Sequence, residues 1–227
     1  MLGDRMAGFQ IPLQIRLNDN ATFDNFFIAD NAQAVSLLQS EEPFVYLWST
    51  TAAGKTHLLQ AVCHQRSHAI YLPLLESTHW SPDIFEGLEQ YAVVCLDDVQ
   101  AIAWAPVWET ALFNLFNRIR EMNGRLLVTA NCSPASLPIQ LADLASRLSW
   151  GVSLRLNELS DAQKVKALSM RAQARGFNMA EEAASYLLKH CPRDLHSLFA
   201  ILDKLDDASL QAQRRISIPF IKQCLQI

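Results

Sequence analysis

Long apolar runs are missing from this sequence: none approaches the length that crosses a bilayer, and the opening MLGDRMAGFQ has no hydrophobic signal core. No membrane association is expected, and the cytosol is the default compartment. Glycine and proline are sparse, at seven and nine of 227 residues; with 50% hydrophobic and 19% charged residues, neither a disordered nor a fibrous chain fits. Clustered positive charge is missing too. The formal net charge is −4 and the basic residues are scattered, Arg214-Arg215 being the one adjacent pair, so a broad nucleic-acid surface is not expected. The five cysteines are odd in number, widely spaced and set among apolar neighbours as in AVVCLDD. They suit small buried side chains in a reducing compartment, not a disulfide framework. His64 and His68 stand at i, i+4 with no acidic partner beside them, which is too little for a metal site.

What is present is alternation. FVYLW, AIYLPL, AVVCLDD and RLLVTAN are apolar runs with too little polar alternation for strands that face water on one side. Between them GKTHLLQAVCHQ, SPDIFEGLEQ and PVWETALFNLFNRIREMNG carry helical spacing. In the last, Trp108, Leu112, Leu115, Phe116, Ile119 and Met122 fall on one stripe, with Gly124 as a stop. Alternating strand and helix predicts a parallel sheet flanked by helices. After one more short strand, VSLRL, the pattern becomes helical throughout, starting from a cap at Ser160-Asp161. The expected division is a tail over 1–20, an α/β domain over 21–157 and a small all-helical domain over 158–227.

The stretch WSTTAAGKTHLL, Trp48 to Leu59, follows a strand and opens a helix, as a phosphate-gripping loop does, yet its first glycine position holds Ser49. Glycine matters only where φ must be positive, and Ser49 starts the loop, away from Gly54 and Lys55. Binding is expected to survive. Backbone N–H groups of Thr51, Ala52, Ala53, Gly54, Lys55, Thr56 and His57, with the helix dipole, would surround phosphate; Lys55 would reach the β- and γ-oxygens and Thr56 would offer a hydroxyl to Mg²⁺. The strand VVCLDD ends in two carboxylates at the same sheet edge: Asp97 would hold Mg²⁺ through water and Asp98 would orient or activate an attacking water. Asn131, ending RLLVTAN, would face the γ-phosphate. ADP or ATP with Mg²⁺ is the expected cofactor.

TFDNFFIADN (Thr22 to Asn31), GKTHLLQAV, LDDVQAI, LASRLSWG (Leu144 to Gly151) and PRDLHSL together resemble the AAA+ core of the bacterial replication initiator DnaA, over Thr22 to Ile227. Two departures narrow the resemblance. DnaA-type initiators carry a basic helix-turn-helix domain after the lid, and a longer insertion before the Walker B strand than LLESTHWSPDIFEGLEQY. The chain is thus similar to the DnaA-related regulators that inactivate DnaA, with an AAA+ P-loop fold followed by a helical lid.

By this resemblance Lys55 and Thr56 match Walker A, Asp97 and Asp98 Walker B, and Asn131 sensor 1. Arg147 matches the arginine finger that reaches a neighbour's nucleotide, and Arg193 the sensor 2 residue that contacts the chain's own. Taken alone, Arg147 would suit a helix-surface ion pair and Arg193 a helix-start hydrogen bond. Phe23, Phe26 and Phe27 are expected to anchor their segment in a core rather than stack on adenine. The tail peptide QIPLQI, with Gln10, Leu13 and Ile15, is similar to the family's motif for the sliding clamp of DNA polymerase III. The implied partners are DnaA and that clamp, with DNA reached through it; self-association is left open. The expected role is negative regulation of replication initiation, through hydrolysis triggered on DnaA, with weak hydrolysis of its own. The alternatives are an autonomous AAA+ ATPase of helicase-loader or clamp-loader type and a DNA-binding initiator fragment.

Overall fold

The computed structural model describes residues 17–19, 21–212 and 214–226. Its strands β1 (Phe44–Trp48), β2 (Ala69–Pro73), β3 (Val93–Asp97), β4 (Arg125–Ala130) and β5 (Val152–Arg155) form one parallel sheet in the order β2-β3-β4-β1-β5. Every residue of β3 and β4 is buried, because helices cover both faces of a parallel sheet. β5, at an edge, alternates between half-buried and exposed. After α1 (Ala32–Gln39), helix α2 (Lys55–Gln65) joins β1 to β2, α3 (Pro106–Glu121) joins β3 to β4, and the seven-residue α4 (Ala142–Leu148) precedes β5. The helices α5 (Asp161–Ala174), α6 (Glu181–His190), α7 (Leu195–Ala212) and α8 (Ile218–Leu225) follow, with no strand among the described residues there.

Two compact units result. The first holds the described residues up to Phe23, Gln33–Thr50 and Gly54–Leu156; the second holds Asp24–Ala32, Thr51–Ala53 and the chain from Asn157 on. In the first, Phe44, Leu72, Phe85, Leu96, Leu115, Phe116 and Val128 belong to one buried cluster, and Phe44 stacks on Phe116 with ring centroids 4.1 Å apart. In the second, Leu168, Leu187, Leu198, Leu202 and Ile221 are fully buried. Ser160 caps α5 in a reciprocal box with Gln163, satisfying two backbone N–H groups that the helix cannot satisfy itself. Phe26 is buried while Phe23 and Phe27 are half-buried, and Asn31 ties its segment to Asn157 by bonds of 2.8 and 3.0 Å.

Four expectations need correction. Of the five cysteines Cys95 is buried, whereas Cys63, Cys132 and Cys191 are half-buried and Cys224 is exposed. SPDIFEGLEQ is not one α-helix: it is two short 3₁₀ turns, Pro82–Phe85 and Leu88–Gln90, separated by Gly87 at φ 77°, a conformation no right-handed helix passes through. Met122 leaves the buried stripe of α3 and is 62% exposed, because the helix has already ended at Glu121. The left-handed residue that ends the helix is Asn123, at φ 54°, and not Gly124.

Gly151 is where glycine is required for space. A Cβ there would stand 2.3 Å from the Phe44 carbonyl oxygen and 2.6 Å from the Phe44 Cβ, as β5 meets β1. Gly151→Ala must push β5 away or break the Phe44 stack, and should lower stability by about 1–3 kcal/mol. Denaturant unfolding should register this as a lower midpoint at unchanged slope; an unchanged midpoint would show that the edge yields without cost.

Candidate functional site

The loop after β1 continues the sheet before it turns. Ser49 is buried and its N–H donates to the Ala130 carbonyl at 3.3 Å, so β4 still holds it. Its φ is not positive, and serine therefore costs nothing at the place where the motif has glycine; the left-handed position is Gly54, at φ 90° and ψ 19°. Lys55 Nζ donates to the Ser49 carbonyl at 3.0 Å, which spans the base of the loop. Ala53 N–H closes a tight turn on the Thr51 carbonyl at 2.9 Å; Thr51 and Ala52 are exposed and Ala53 is buried. The His57 ring engages the Thr22 carbonyl at 2.7 Å.

Asp97 ends β3, is 2% exposed, and gathers hydroxyls from three elements. Its Oδ2 accepts from Thr56 Oγ1 at 2.6 Å and from Tyr71 at 2.8 Å; its Oδ1 accepts from Thr129. Next to it Asp98 stands in left-handed backbone at φ 60° and ψ 54°. Its N–H donates to Thr129 Oγ1 at 2.9 Å, and its Oδ1 accepts from Gln100 Nε2 at 2.9 Å. Burial pushes the Asp98 carboxyl above its ordinary value; the Gln100 bond opposes this, Asp97 adds to it, and Lys55 works against it. Gln100 also accepts the backbone N–H of Asn131 at 3.1 Å, while Asn131 itself is exposed. Lys55, Thr56, Asp97, Asp98 and Asn131 thus come together at the carboxyl edge of the sheet. Thr56 and Asp97 supply adjacent hard oxygens, a donor set that suits Mg²⁺.

Tyr71, Thr129 and Gln100 are additions to the expected set. The first two carried a signal: a hydroxyl inside an otherwise apolar strand must find a partner once buried. Gln100 carried none, since a glutamine two residues after an acid is ordinary.

Arg147 lies on α4, half-buried, with its guanidinium carbon 5.8 Å from the Phe116 ring centroid and 5.7 Å from that of Trp150. No carboxylate among the described residues pairs with it, so a surface ion pair does not account for it. Arg193 belongs to the second unit; it is 65% exposed and stands 3.6 Å from Asp161, whose side chain is 61% exposed. That contact is a weak surface pair. Gln10, Leu13 and Ile15 lie outside the described residues.

Family comparisons match both parts of the chain. A model of the Hda lid domain matches residues 161–225, and a model of the bacterial DnaA ATPase domain matches residues 81–155. The chain is 44% identical over 229 residues to an uncharacterized protein of Haemophilus influenzae, covering 96% of this chain and 99% of that one. The chain belongs to the Hda-like, DnaA-related AAA+ proteins. Its fold is similar to domain III of DnaA from Thermotoga maritima (TM-score 0.77, 18% identity, 93% of this chain and 98% of that one). It is also similar to AMPPCP-bound DnaA from Aquifex aeolicus (TM-score 0.70, 18% identity, 88% of this chain and 70% of that one). Among motor proteins, the RuvB Holliday junction branch migration motor from Thermotoga maritima aligns at a TM-score of 0.63 with 14% identity, over 88% of this chain and 66% of that one. This AAA+ fold is the parallel sheet flanked by helices, followed along the chain by the helical lid.

The raised Asp98 carboxyl makes a testable statement about stability. A carboxyl that holds its proton more tightly when folded costs stability as pH rises from the ordinary carboxylate range through the raised value, and the cost is complete above it. Asp98→Asn removes the charge and keeps an acceptor for Gln100 in backbone that asparagine tolerates. It should raise the melting temperature by about 2 °C near neutral pH, with the gain fading toward about pH 4. A gain that persists unchanged in acid would contradict the electrostatic cause.

Proposed function

We propose that this Hda-like protein is a negative regulator of replication initiation: a nucleotide-carrying AAA+ protein whose Arg147 completes the hydrolytic site of DnaA–ATP in the presence of the DNA-loaded sliding clamp. The observation that carries this reading is Arg147 itself, held on a short helix by two aromatic rings and paired with no carboxylate among the described residues. An arginine supplied across an interface can raise phosphoryl-transfer rates by about 10³ to 10⁵. Membership in the family and the likeness to a nucleotide-bound DnaA support the same reading.

In this reading the chain's own nucleotide, ADP, is gripped by the loop from Thr51 to Gly54 and by Lys55, Thr56 and His57. Thr56 and Asp97 hold Mg²⁺, and Arg193 contacts the nucleotide from the lid. Asp98, with its raised carboxyl, and Asn131 provide for slow hydrolysis of the chain's own ATP. The tail peptide with Gln10, Leu13 and Ile15 tethers the protein to the clamp, and through it to DNA, in the cytoplasm. The joined set of Thr56, Asp97 and Asp98 also suits an autonomous ATPase. Steady turnover by the purified chain alone, without DnaA, would favour that second reading.

Lys55→Ala should weaken ADP binding by about 100-fold, since it deletes one charge-assisted contact worth about 3 kcal/mol and leaves the fold. Unchanged affinity in calorimetry would remove the loop from the site. Arg147→Ala should leave ADP affinity unchanged and cut the hydrolysis of ATP preloaded on DnaA by about 10³-fold. Full stimulation by that variant, with clamp and DNA present, would end the finger assignment. Replacing Gln10, Leu13 and Ile15 together with alanine should abolish clamp binding and clamp-dependent stimulation at unchanged melting temperature; retained clamp affinity would rule out the tether.

A further inference from the structure

Glu109 is an acid in the interior that the site does not use. It sits in the first turn of α3, is 0% exposed, and both of its oxygens are occupied by backbone. Oε1 accepts the N–H of Trp104 at 3.0 Å; Oε2 accepts the N–H of Gln140 at 2.9 Å and of Leu141 at 2.8 Å. Leu141 is the cap residue of α4, and Glu109 therefore satisfies the two N–H groups at the entrance to that helix. A carboxylate is kept in an interior only where such bonds offset its lost hydration.

α4 needs this help. Seven residues are far too few for a helix to persist by its own propensity, and Leu141 offers no side-chain cap. At its far end Arg147 lies over Phe116. Glu109 and Phe116 are seven residues apart on the same face of α3, about 10 Å at 1.5 Å per residue, which matches the length of a seven-residue helix. α3 thus grips α4 at both ends: a carboxylate at its start, a ring beneath its arginine.

We propose that Glu109 is a positioning residue for Arg147, fixing the start of α4 and through it the place where the guanidinium is presented. The functional consequence rests on the reading of Arg147 as a group that acts on a partner's nucleotide; the mechanical statement does not. The third bond extends the clamp. Trp104 follows the turn Val99–Ile102, which begins directly after Asp98, and stands in left-handed backbone at φ 66° while the residue is 67% exposed. Such backbone is unfavourable for tryptophan, and the Glu109 bond is what holds its N–H. One carboxylate therefore ties the segment leaving the Asp97-Asp98 edge to the helix that carries Arg147.

The experiment compares Glu109→Ala with Glu109→Gln in the full chain. Alanine takes away every acceptor. Glutamine keeps one oxygen, which can still receive the N–H groups of Gln140 and Leu141. Glu109→Ala should cut the maximal rate of DnaA–ATP hydrolysis about 10- to 100-fold at saturating chain and clamp, as displacement of a reacting group by about 1 Å does, with ADP affinity unchanged. Glu109→Gln should retain that rate within about threefold. Side-chain resonances of Arg147, shifted upfield by the Phe116 and Trp150 rings, should move toward ordinary positions in the alanine variant and stay in the glutamine variant. In an Arg147→Ala background, Glu109→Ala should cost nothing further, because the pair acts as one unit.

If Glu109→Ala fails to fold, Leu141→Pro carries the test: φ at Leu141 is −76°, within proline's range, so the change deletes one N–H donor, and Leu141→Ala controls for packing. Leu141→Pro should then shift the Arg147 resonances and Leu141→Ala should not. A folded Glu109→Ala protein with unmoved Arg147 resonances would overturn the proposal, as would Leu141→Pro with the same result. Moved resonances with full stimulation would overturn its functional half. Full stimulation by Arg147→Ala would instead remove the reading of Arg147, and the resonances alone would then decide the clamp.

Discussion

The carboxylate of Asp97 is the point at which the carboxyl edge of the sheet is tied together. Thr56 opens α2, Tyr71 lies in β2 and Thr129 in β4, and each donates a hydroxyl to Asp97. Hydrogen bonds to a charged acceptor contribute about 1.5–3 kcal/mol each, roughly twice the neutral value. A single missing donor would leave part of a buried charge unsatisfied, so the register of β2, β3 and β4 at this edge is set by polar geometry as well as by apolar packing. The same oxygens that fix the strands are the ones that would hold Mg²⁺ in the proposed function.

Around that point the backbone is bent where chemistry would need it. Gly54 and Asp98 take left-handed conformations directly after β1's loop and after β3, and Trp104 does so one turn later. For glycine this costs little, whereas for aspartate and tryptophan it persists only because neighbours hold it: Thr129 receives the Asp98 N–H and Glu109 the Trp104 N–H. The turn from Asp98 to Trp104 is thus pinned at both ends by side chains that are themselves buried.

Much of this was legible in the sequence because the signals were local. Strands buried on both faces wrote themselves as unbroken apolar runs, the cap at Ser160-Asp161 announced α5, and GKTHLL placed the loop against a helix start. Ser49 was legible by reasoning about where positive φ is needed. SPDIFEGLEQ was not, since its helical spacing survives in 3₁₀ turns and only the φ of Gly87 separates the two. Glu109 was the least legible of all. An acid in the first turn of a helix normally faces water and the helix dipole, and nothing local shows that its oxygens will meet amides 31 and 32 residues further on.

The seat of Arg147 has its own physical logic. An ion pair on the surface would contribute at most about 1 kcal/mol, would commit two or more of the guanidinium N–H donors, and would have to be broken before the arginine met another acceptor. Rings hold the group differently. Phe116 and Trp150 restrict where the guanidinium sits at a gain of about 0.5–1 kcal/mol, and no carboxylate among the described residues pairs with it. Arg120, on α3, approaches the same Trp150 ring at 5.4 Å and adds to the positive potential there. The rings thus order Arg147 at one end of α4, and the buried carboxylate at the other end is what makes that order possible in so short a helix.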